Sequence, residues 1–199
     1  MKKGQLFYLM GASGVGKDSL LHYLQTHLAP SARVMVPRRY ITRNTHLGGE
    51  PHIEITPEAF TRRVAEGGFA MHWQSHGYAY GISIEIDRWL SDGCQVVVNG
   101  SRNYLETARD RYPDLKPILI TVSHDKLYER LTLRGRESHD EIKKRLLRAE
   151  ALDRTLADSE LIRLSNDGPL SDAGEHLMKL ILDNETSDTD SLHRTVAIA

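Results

Sequence analysis

The chain has 199 residues, with 26 Lys or Arg against 27 Asp or Glu, for a formal net charge of −1 at pH 7. That balance excludes a global electrostatic pull toward nucleic acid or an anionic membrane. The single cysteine, Cys94, excludes an internal disulfide framework and suits a reducing compartment.

Lys2 and Lys3 lead straight into Gln5–Met10, a continuous apolar run of the kind found in strands buried on both faces. The run is too short for a signal peptide, and no stretch approaches membrane-spanning length. The expectation is a cytoplasmic protein with no membrane or nucleic-acid partner. Gly11-Ala12-Ser13-Gly14-Val15-Gly16-Lys17-Asp18 follows at once. It fits the phosphate-loop pattern G-x-x-x-x-G-K-[ST] except at the last letter. The glycines let backbone N–H groups turn inward around a β-phosphate, and the lysine neutralises β/γ charge. A helix over 17–28 continues from the loop, so bound phosphates would sit at a helix N-terminus. Residues 11 to 19, Ser19 included, are therefore expected to hold ATP, with Lys17 acting on the transferring group.

Asp18 stands where the pattern has a hydroxyl on Mg²⁺. A carboxylate there repels phosphates unless a cation lies between, so Asp18 is expected to hold Mg²⁺ directly or through water. Val98-Asn99 carries an amide where many phosphate-loop enzymes place a metal-holding aspartate, which agrees with the carboxylate having moved into the loop. The other reading is a helix-start aspartate favoured by the dipole alone. Ser19 is the weaker metal candidate, because the next residue on a helix points about 100° away.

Arg33–Val36 predicts the second strand, and Arg38, Arg39 and Arg43 cluster just after it. Residues 38–89, rich in Gly, His and Arg, break the rhythm and read as an inserted acceptor-binding subdomain. His72 and His76 are four apart, but Gly77 follows and no carboxylate lies between them, so they read as polar loop histidines rather than metal ligands. Further strands are predicted over Gln95–Asn99, Pro117–Val122 and Glu160–Ser165, with helices over 102–111, 124–134, 139–157 and 170–183. The alternation predicts a doubly wound, parallel-sheet α/β domain over 1–183. Residues 134–139 are a short polar joint suited to a mobile lid. Residues 184–199 have the composition of a disordered tail.

Arg130, Arg134, Arg136, Arg145 and Arg148 surround that joint. Arg130 and Arg134 share one helix face, and Arg145 and Arg148 another. Guanidinium forks match phosphate oxygens, and cations around the equatorial oxygens stabilise phosphoryl transfer. Arg134 and Arg145 are the candidates to close over the transferring group, with Arg130 on the nucleotide. The plain alternative is a solvated face with ion pairs to Asp140, Glu141 and Glu150.

Across roughly residues 4 to 183 the chain resembles the guanylate kinase family. The resemblance rests on the phosphate loop, on Ile41-Thr42-Arg43 followed by Gly48-Gly49-Glu50, on Phe69–Trp73 followed by Gly77–Ile82, on Arg130…Arg134-Gly135-Arg136 with Lys144-Arg145-Leu146, and on Asn166-Asp167. It implies that Asn166 lies on the adenine side, and that Arg43 and Tyr80 read an acceptor phosphate, with His46 near a second arginine's place. The departures are informative. Met71 stands at a base-reading glutamate, Ile82 at a Ser/Thr, Ser101 at an aspartate and Arg39 at a serine. Each lost hydrogen bond to a polar base costs about 1–3 kcal/mol, so GMP is expected to be a poor substrate.

The strings Gly16-Lys17-Asp18-Ser19, Phe69–Gly77, Tyr80-Gly81-Ile82 and Val98–Arg102 resemble one guanylate-kinase-like subfamily, which phosphorylates ribose 1,5-bisphosphate in bacterial phosphonate catabolism. That resemblance implies ATP as donor and 5-phosphoribosyl 1-diphosphate as product. Arg38, Arg39, Arg43 and Arg102 carry more cationic charge than one phosphate needs, consistent with a bisphosphate, and Tyr80 and Ser101 complete the expected acceptor set. The sequence offers no convincing general base. A phosphate acceptor needs none, because its second pKa near 6 leaves it largely a dianion at neutral pH. Three alternatives stay open: a nucleoside monophosphate kinase, a kinase of another small metabolite, and a non-catalytic guanylate-kinase-like interaction module. The oligomeric state is open as well, with a homodimer as one option.

Overall fold

The computed structural model describes residues 3–29, 31–45, 51–135, 138–155 and 161–186. The elements begin with β1 (Leu6–Met10), α1 (Lys17–His27), β2 (Val34–Met35), β3 (Tyr40–Ile41), β4 (Ile53–Glu54), α2 (Pro57–Ala65), β5 (Phe69–Ser75) and β6 (Tyr78–Ser83). They continue with α3 (Glu85–Ser91), β7 (Gln95–Asn99), α4 (Leu105–Arg111), β8 (Lys116–Thr121), α5 (His124–Arg134), α6 (His139–Thr155), β9 (Ile162–Ser165) and α7 (Leu170–Thr186). The chain divides into two compact units, Met1–Met10 with Ser31–Pro117 and Gly11–Pro30 with Ile118–Ala199.

In the first unit β7 pairs in parallel with β1 on one side and β2 on the other. Every residue of β1 and β7 is buried, which is why both read as unbroken apolar runs rather than alternating ones. A second sheet in this unit has the order β4-β3-β6-β5. Its β5–β6 hairpin turns through His76 and Gly77, both at positive φ. The register sets Met71 opposite Ile82 and Trp73 opposite Tyr80, two cross-strand pairs on one face. The chain enters α2 through Thr56, whose hydroxyl accepts from the Ala59 N–H at 3.2 Å, with Pro57 in the first turn.

In the second unit β8 and β9 pair in parallel, and α1 buries Leu20 and Leu24, one helical turn apart. Leu127 and Leu131 of α5, Ile142 and Leu146 of α6, and Leu177 and Ile181 of α7 are buried at the same spacing. Helix α6 starts with a reciprocal cap. The Glu141 carboxylate accepts from the Ser138 N–H and hydroxyl, each at 2.8 Å, and the Glu141 N–H donates back to that hydroxyl at 3.4 Å. The expected α/β class with parallel strands is thus present in both units. Of the parallel strands, β1 and β7 are buried along their whole length, whereas β9 leaves Arg163 and Ser165 exposed.

Two expectations are corrected. The helix expected over 102–111 begins as a tight three-residue turn, Arg102–Tyr104, because the Tyr104 N–H bonds the Ser101 carbonyl three residues back. Helix α7 runs on to Thr186, so residues 184–186 are helical rather than part of a tail; residues 187–199 lie outside the described residues. The stretch 38–89, where an inserted subdomain is expected, holds strands β3 to β6, helix α2 and the start of α3. Of the joint at 134–139, Arg134 ends α5, Gly135 caps it with φ 62°, Ser138 caps α6 and His139 opens it; residues 136 and 137 lie outside the described residues.

Candidate functional site

The phosphate loop lies in the second unit. Gly16 sits at the start of α1 with φ 96°, a conformation that a side chain strains. A Cβ there would lie 2.5 Å from the Asn166 amide nitrogen. That nitrogen donates to the Val15 carbonyl at 2.7 Å, while Arg130 reaches the same carbonyl at 3.3 Å and the Asn166 carbonyl at 2.7 Å. Asn166 and Arg130 thus brace the loop from β9's exit and from α5. Lys17 Nζ donates to the Gly11 and Ala12 carbonyls at 2.9 and 3.0 Å, folding over the loop's own entry. Ala12 and Val15 are buried, Gly11, Gly14, Gly16 and Lys17 are half-buried, and Ser13, Asp18 and Ser19 are exposed.

The cradle fits a bound polyphosphate. It is a glycine-rich turn at a helix N-terminus with a lysine folded over it. The buried Asn166 Oδ1, which has no hydrogen-bond partner among the described residues, would take a donor rather than a phosphate oxygen. Arg145 lies on α6 and helps hold the exposed Glu141 carboxyl below the usual range, after the larger effect of the Ser138 bonds. The side chains of Arg134 and Arg148, and all of Arg136, lie outside the described residues.

The acceptor candidates lie in the first unit. Arg43 follows β3, and its Nε is buried with no hydrogen-bond partner among the described residues. The Arg43 carbonyl accepts from Nε2 of His52, a buried histidine at the start of β4, at 2.8 Å. Tyr80 of β6 stacks on Trp73 of β5, with ring centroids 5.6 Å apart and planes 4° from parallel. Arg39 lies over both rings, 5.1 Å from that of Tyr80 and 6.0 Å from that of Trp73, and donates to the Asn99 carbonyl at 3.3 Å. Arg38 is exposed nearby in sequence, and Arg102 opens the tight turn after Ser101.

Ser101 is held through its main chain. Its N–H donates to the Tyr8 hydroxyl, and that hydroxyl donates to its carbonyl, both at 2.9 Å. Burial drives the Tyr8 phenol well above the ordinary tyrosine range, so it stays protonated and serves both bonds. Gly100 packs flat on that ring, where a Cβ would lie 2.1 Å from it. Met71 and Ile82, two of the four departures at base-reading positions, face one another across the hairpin and are both fully buried. Two apolar side chains pressed together cannot hydrogen-bond the edge of a base.

Sequence reasoning missed Tyr8, Trp73, Tyr104 and His52. Each is a polar or aromatic residue inside an apolar or loop-like run. The partners of Tyr8 and Tyr104 are distant in sequence, and those of Trp73 and His52 lie across a strand pairing or loop that no motif marks. It did select Arg130 and Asn166, though not their bonds to a shared loop carbonyl. His46 and Gly48-Gly49-Glu50 lie outside the described residues. Among the described residues, no three His, Cys, Asp or Glu side chains group as a metal site, and no helix is long and apolar enough to cross a membrane.

A family model for the AAA domain matches residues 8–153, which with the loop geometry places the chain among phosphate-loop nucleotide-binding proteins. A guanylate kinase structure from Anaplasma phagocytophilum shares the fold, with a TM-score of 0.64 at 14% identity over 94% of this chain and 89% of that one. Two curated relatives are closer in sequence. The ribose 1,5-bisphosphate phosphokinase PhnN of Thiobacillus denitrificans is 48% identical over 94% of this chain and 97% of its own length. That of Psychromonas ingrahamii is 49% identical over 90% of each. The chain belongs to the ribose 1,5-bisphosphate phosphokinase family.

Proposed function

We propose that this protein transfers the γ-phosphoryl group of ATP to ribose 1,5-bisphosphate, giving ADP and 5-phosphoribosyl 1-diphosphate. The observation that carries the reading is identity near one half over 187 residues, a span that includes both the phosphate loop and the β5–β6 hairpin. The buried Met71–Ile82 pair argues against a nucleobase acceptor. The role fits a cytoplasmic enzyme of phosphonate breakdown and 5-phosphoribosyl 1-diphosphate supply.

In the reaction an oxygen of the acceptor's 1-phosphate bonds the γ-phosphorus of ATP, the β–γ bridging P–O bond breaks, and ADP leaves. The acceptor is already largely a dianion near neutral pH, so no side chain has to remove a proton. Lys17 and the loop N–H groups hold the donor and stabilise charge that develops on transfer. Arg130 and Asn166 keep the loop in shape. Arg134 and Arg145 are assigned to the transferring group, where closing over it also keeps out water that would hydrolyse ATP. Arg38, Arg39, Arg43, Tyr80, Ser101 and Arg102 are assigned to the acceptor. The exposed Asp18 carboxylate at the start of α1 fits Mg²⁺, which takes one or two carboxylates plus substrate phosphates rather than a full protein cage. When bound, the ion neutralises β- and γ-phosphate charge.

The test is ADP release from ATP and Mg²⁺ with ribose 1,5-bisphosphate or GMP as acceptor, and identification of the product by mass. A kcat/KM for GMP equal to or above that for the bisphosphate overturns the assignment.

A further inference from the structure

Trp73 has no part in the acceptor set derived so far, yet three contacts centre on it. Its indole is parallel to Tyr80, Arg39 lies over both rings, and Tyr104 packs on the indole itself at a tilt of 32°, with ring centroids 5.5 Å apart. The cross-strand register places Trp73 and Tyr80 directly opposite, so the pair is built into the hairpin rather than formed by chance contact. Trp73 is 9% exposed. A guanidinium stacked on aromatic rings uses its face, and its in-plane N–H groups remain directed at oxygen acceptors. The Asn99 carbonyl accepts from the Arg39 guanidinium at 3.3 Å and anchors one of its ends.

Two rings and one carbonyl thus hold a guanidinium that a flexible side chain would otherwise carry through many rotamers. Preorganising a long cation in this way removes ordering cost from anion binding. Arg43 is a second cation in the same unit, with a buried Nε that has no hydrogen-bond partner among the described residues. Two guanidinium groups in one unit suit an acceptor with two phosphates.

We propose that Trp73 is a positioning residue for acceptor recognition: with Tyr80 it fixes the Arg39 guanidinium as the reader of a second anionic group on the acceptor, and so selects a doubly phosphorylated sugar. This rests on the function proposed above. Trp73 acts through Arg39, so its removal weakens acceptor binding and spares the donor.

The experiment measures steady-state kinetics of W73L, W73F, R39K and the W73L/R39K double variant, with ribose 1,5-bisphosphate and ATP varied separately. W73L is expected to raise the bisphosphate KM about tenfold, in line with the strength of a partly buried cation–π contact, and to change the ATP KM and kcat less than twofold. W73F keeps an aromatic face and is expected to recover most of the loss. R39K keeps the charge but not the flat fork, and is expected to match W73L. The double variant is expected to be no worse than either single one, because both remove the same interaction. Additive losses, equal effects on both substrates, or no recovery in W73F overturn the proposal. If W73L yields no folded protein, W73F and R39K carry the test alone: W73F near wild type with R39K raising only the acceptor KM supports it, and an R39K KM at wild-type level overturns it. A wild-type enzyme that ignores the bisphosphate overturns the function and this proposal together, whereas active wild type with unchanged KM in W73L overturns this proposal only.

Discussion

The phosphate loop and the acceptor hairpin are built from different parts of the chain. The loop is eight consecutive residues whose working groups are main-chain N–H donors, held in shape by two bonds to the Val15 carbonyl. The acceptor region gathers side chains from β1, the segment around β3, both hairpin strands and the turn after β7. Main-chain recognition is fixed by glycine geometry and reads only what all polyphosphates share. Side-chain recognition can be changed one residue at a time without disturbing the backbone. The difference explains how one scaffold can keep its donor and exchange its acceptor, the part proposed here for Met71 and Ile82.

The sharpest way to break that comparison is Lys17→Ala. It is expected to lower kcat/KM about a hundredfold or more through loss of a preorganised electrostatic contact, while the loss of its two bonds to the Gly11 and Ala12 carbonyls lowers stability by only about 1–2 kcal/mol and leaves the protein folded. Near-normal turnover would remove the loop from the donor role. Arg43→Ala comes next. It is expected to raise the acceptor KM about tenfold to a hundredfold, the size of a lost charged hydrogen bond, with the ATP KM changed less than twofold. Equal effects on both substrates would make Arg43 structural.

Tyr8→Phe is expected to be milder. It strips Ser101 of both partners on the hydroxyl, so urea unfolding should show a loss of about 1–3 kcal/mol, and the acceptor KM should rise a few-fold. Because burial raises the Tyr8 pKa, the ratio of wild-type to variant activity should stay flat from about pH 7 to 10; a ratio that falls across that range would show the phenol ionising. Asp18→Asn is expected to shift the Mg²⁺ concentration for half-maximal activity a few-fold upward, with ATP binding little changed in the absence of metal. No shift would return Asp18 to the role of a helix-start charge.

The smallest effect belongs to Asp167. It accepts from the Ser123 N–H at 2.7 Å at the start of α5 and from the Ser165 hydroxyl, and the Ser123 bonds hold its carboxyl below the usual range. A depressed carboxylate stabilises the fold above its unfolded pKa near 4, and the benefit is lost as pH falls through the folded value. Asp167→Asn should cost about 0.5 kcal/mol at pH 7 for this exposed group, and the gap should close on acidification. A gap that widens in acid would reverse the assignment.

The parallel strands were legible because burial on both faces leaves a continuous apolar signature. Gln95–Asn99 and the helix 124–134 fall on the expected residues. The loop was legible because its partners are adjacent. The hairpin was not, because His72 and Gln74 interrupt its apolar residues and the subdomain around it is rich in glycine and arginine. The local clue was the turn: a two-residue His76-Gly77 between strand-like stretches has the left-handed geometry of tight hairpins. The Tyr8–Ser101 and Arg39–Trp73–Tyr80 contacts join residues up to 93 apart in sequence, and no local spacing signals them.

The contact of Gly100 with the Tyr8 ring carries a consequence for how this chain can vary. With the ring 2.1 Å from where a Cβ would go, position 100 tolerates only glycine, although its backbone is not in the left-handed region. Exchanging Tyr8 for Phe leaves that prohibition in force, since the obstructing atoms are those of the ring. A small residue at position 8 lifts it. In a library selected for folding, positions 8 and 100 should therefore show strong epistasis, with alanine at 100 surviving only beside a non-aromatic residue at 8.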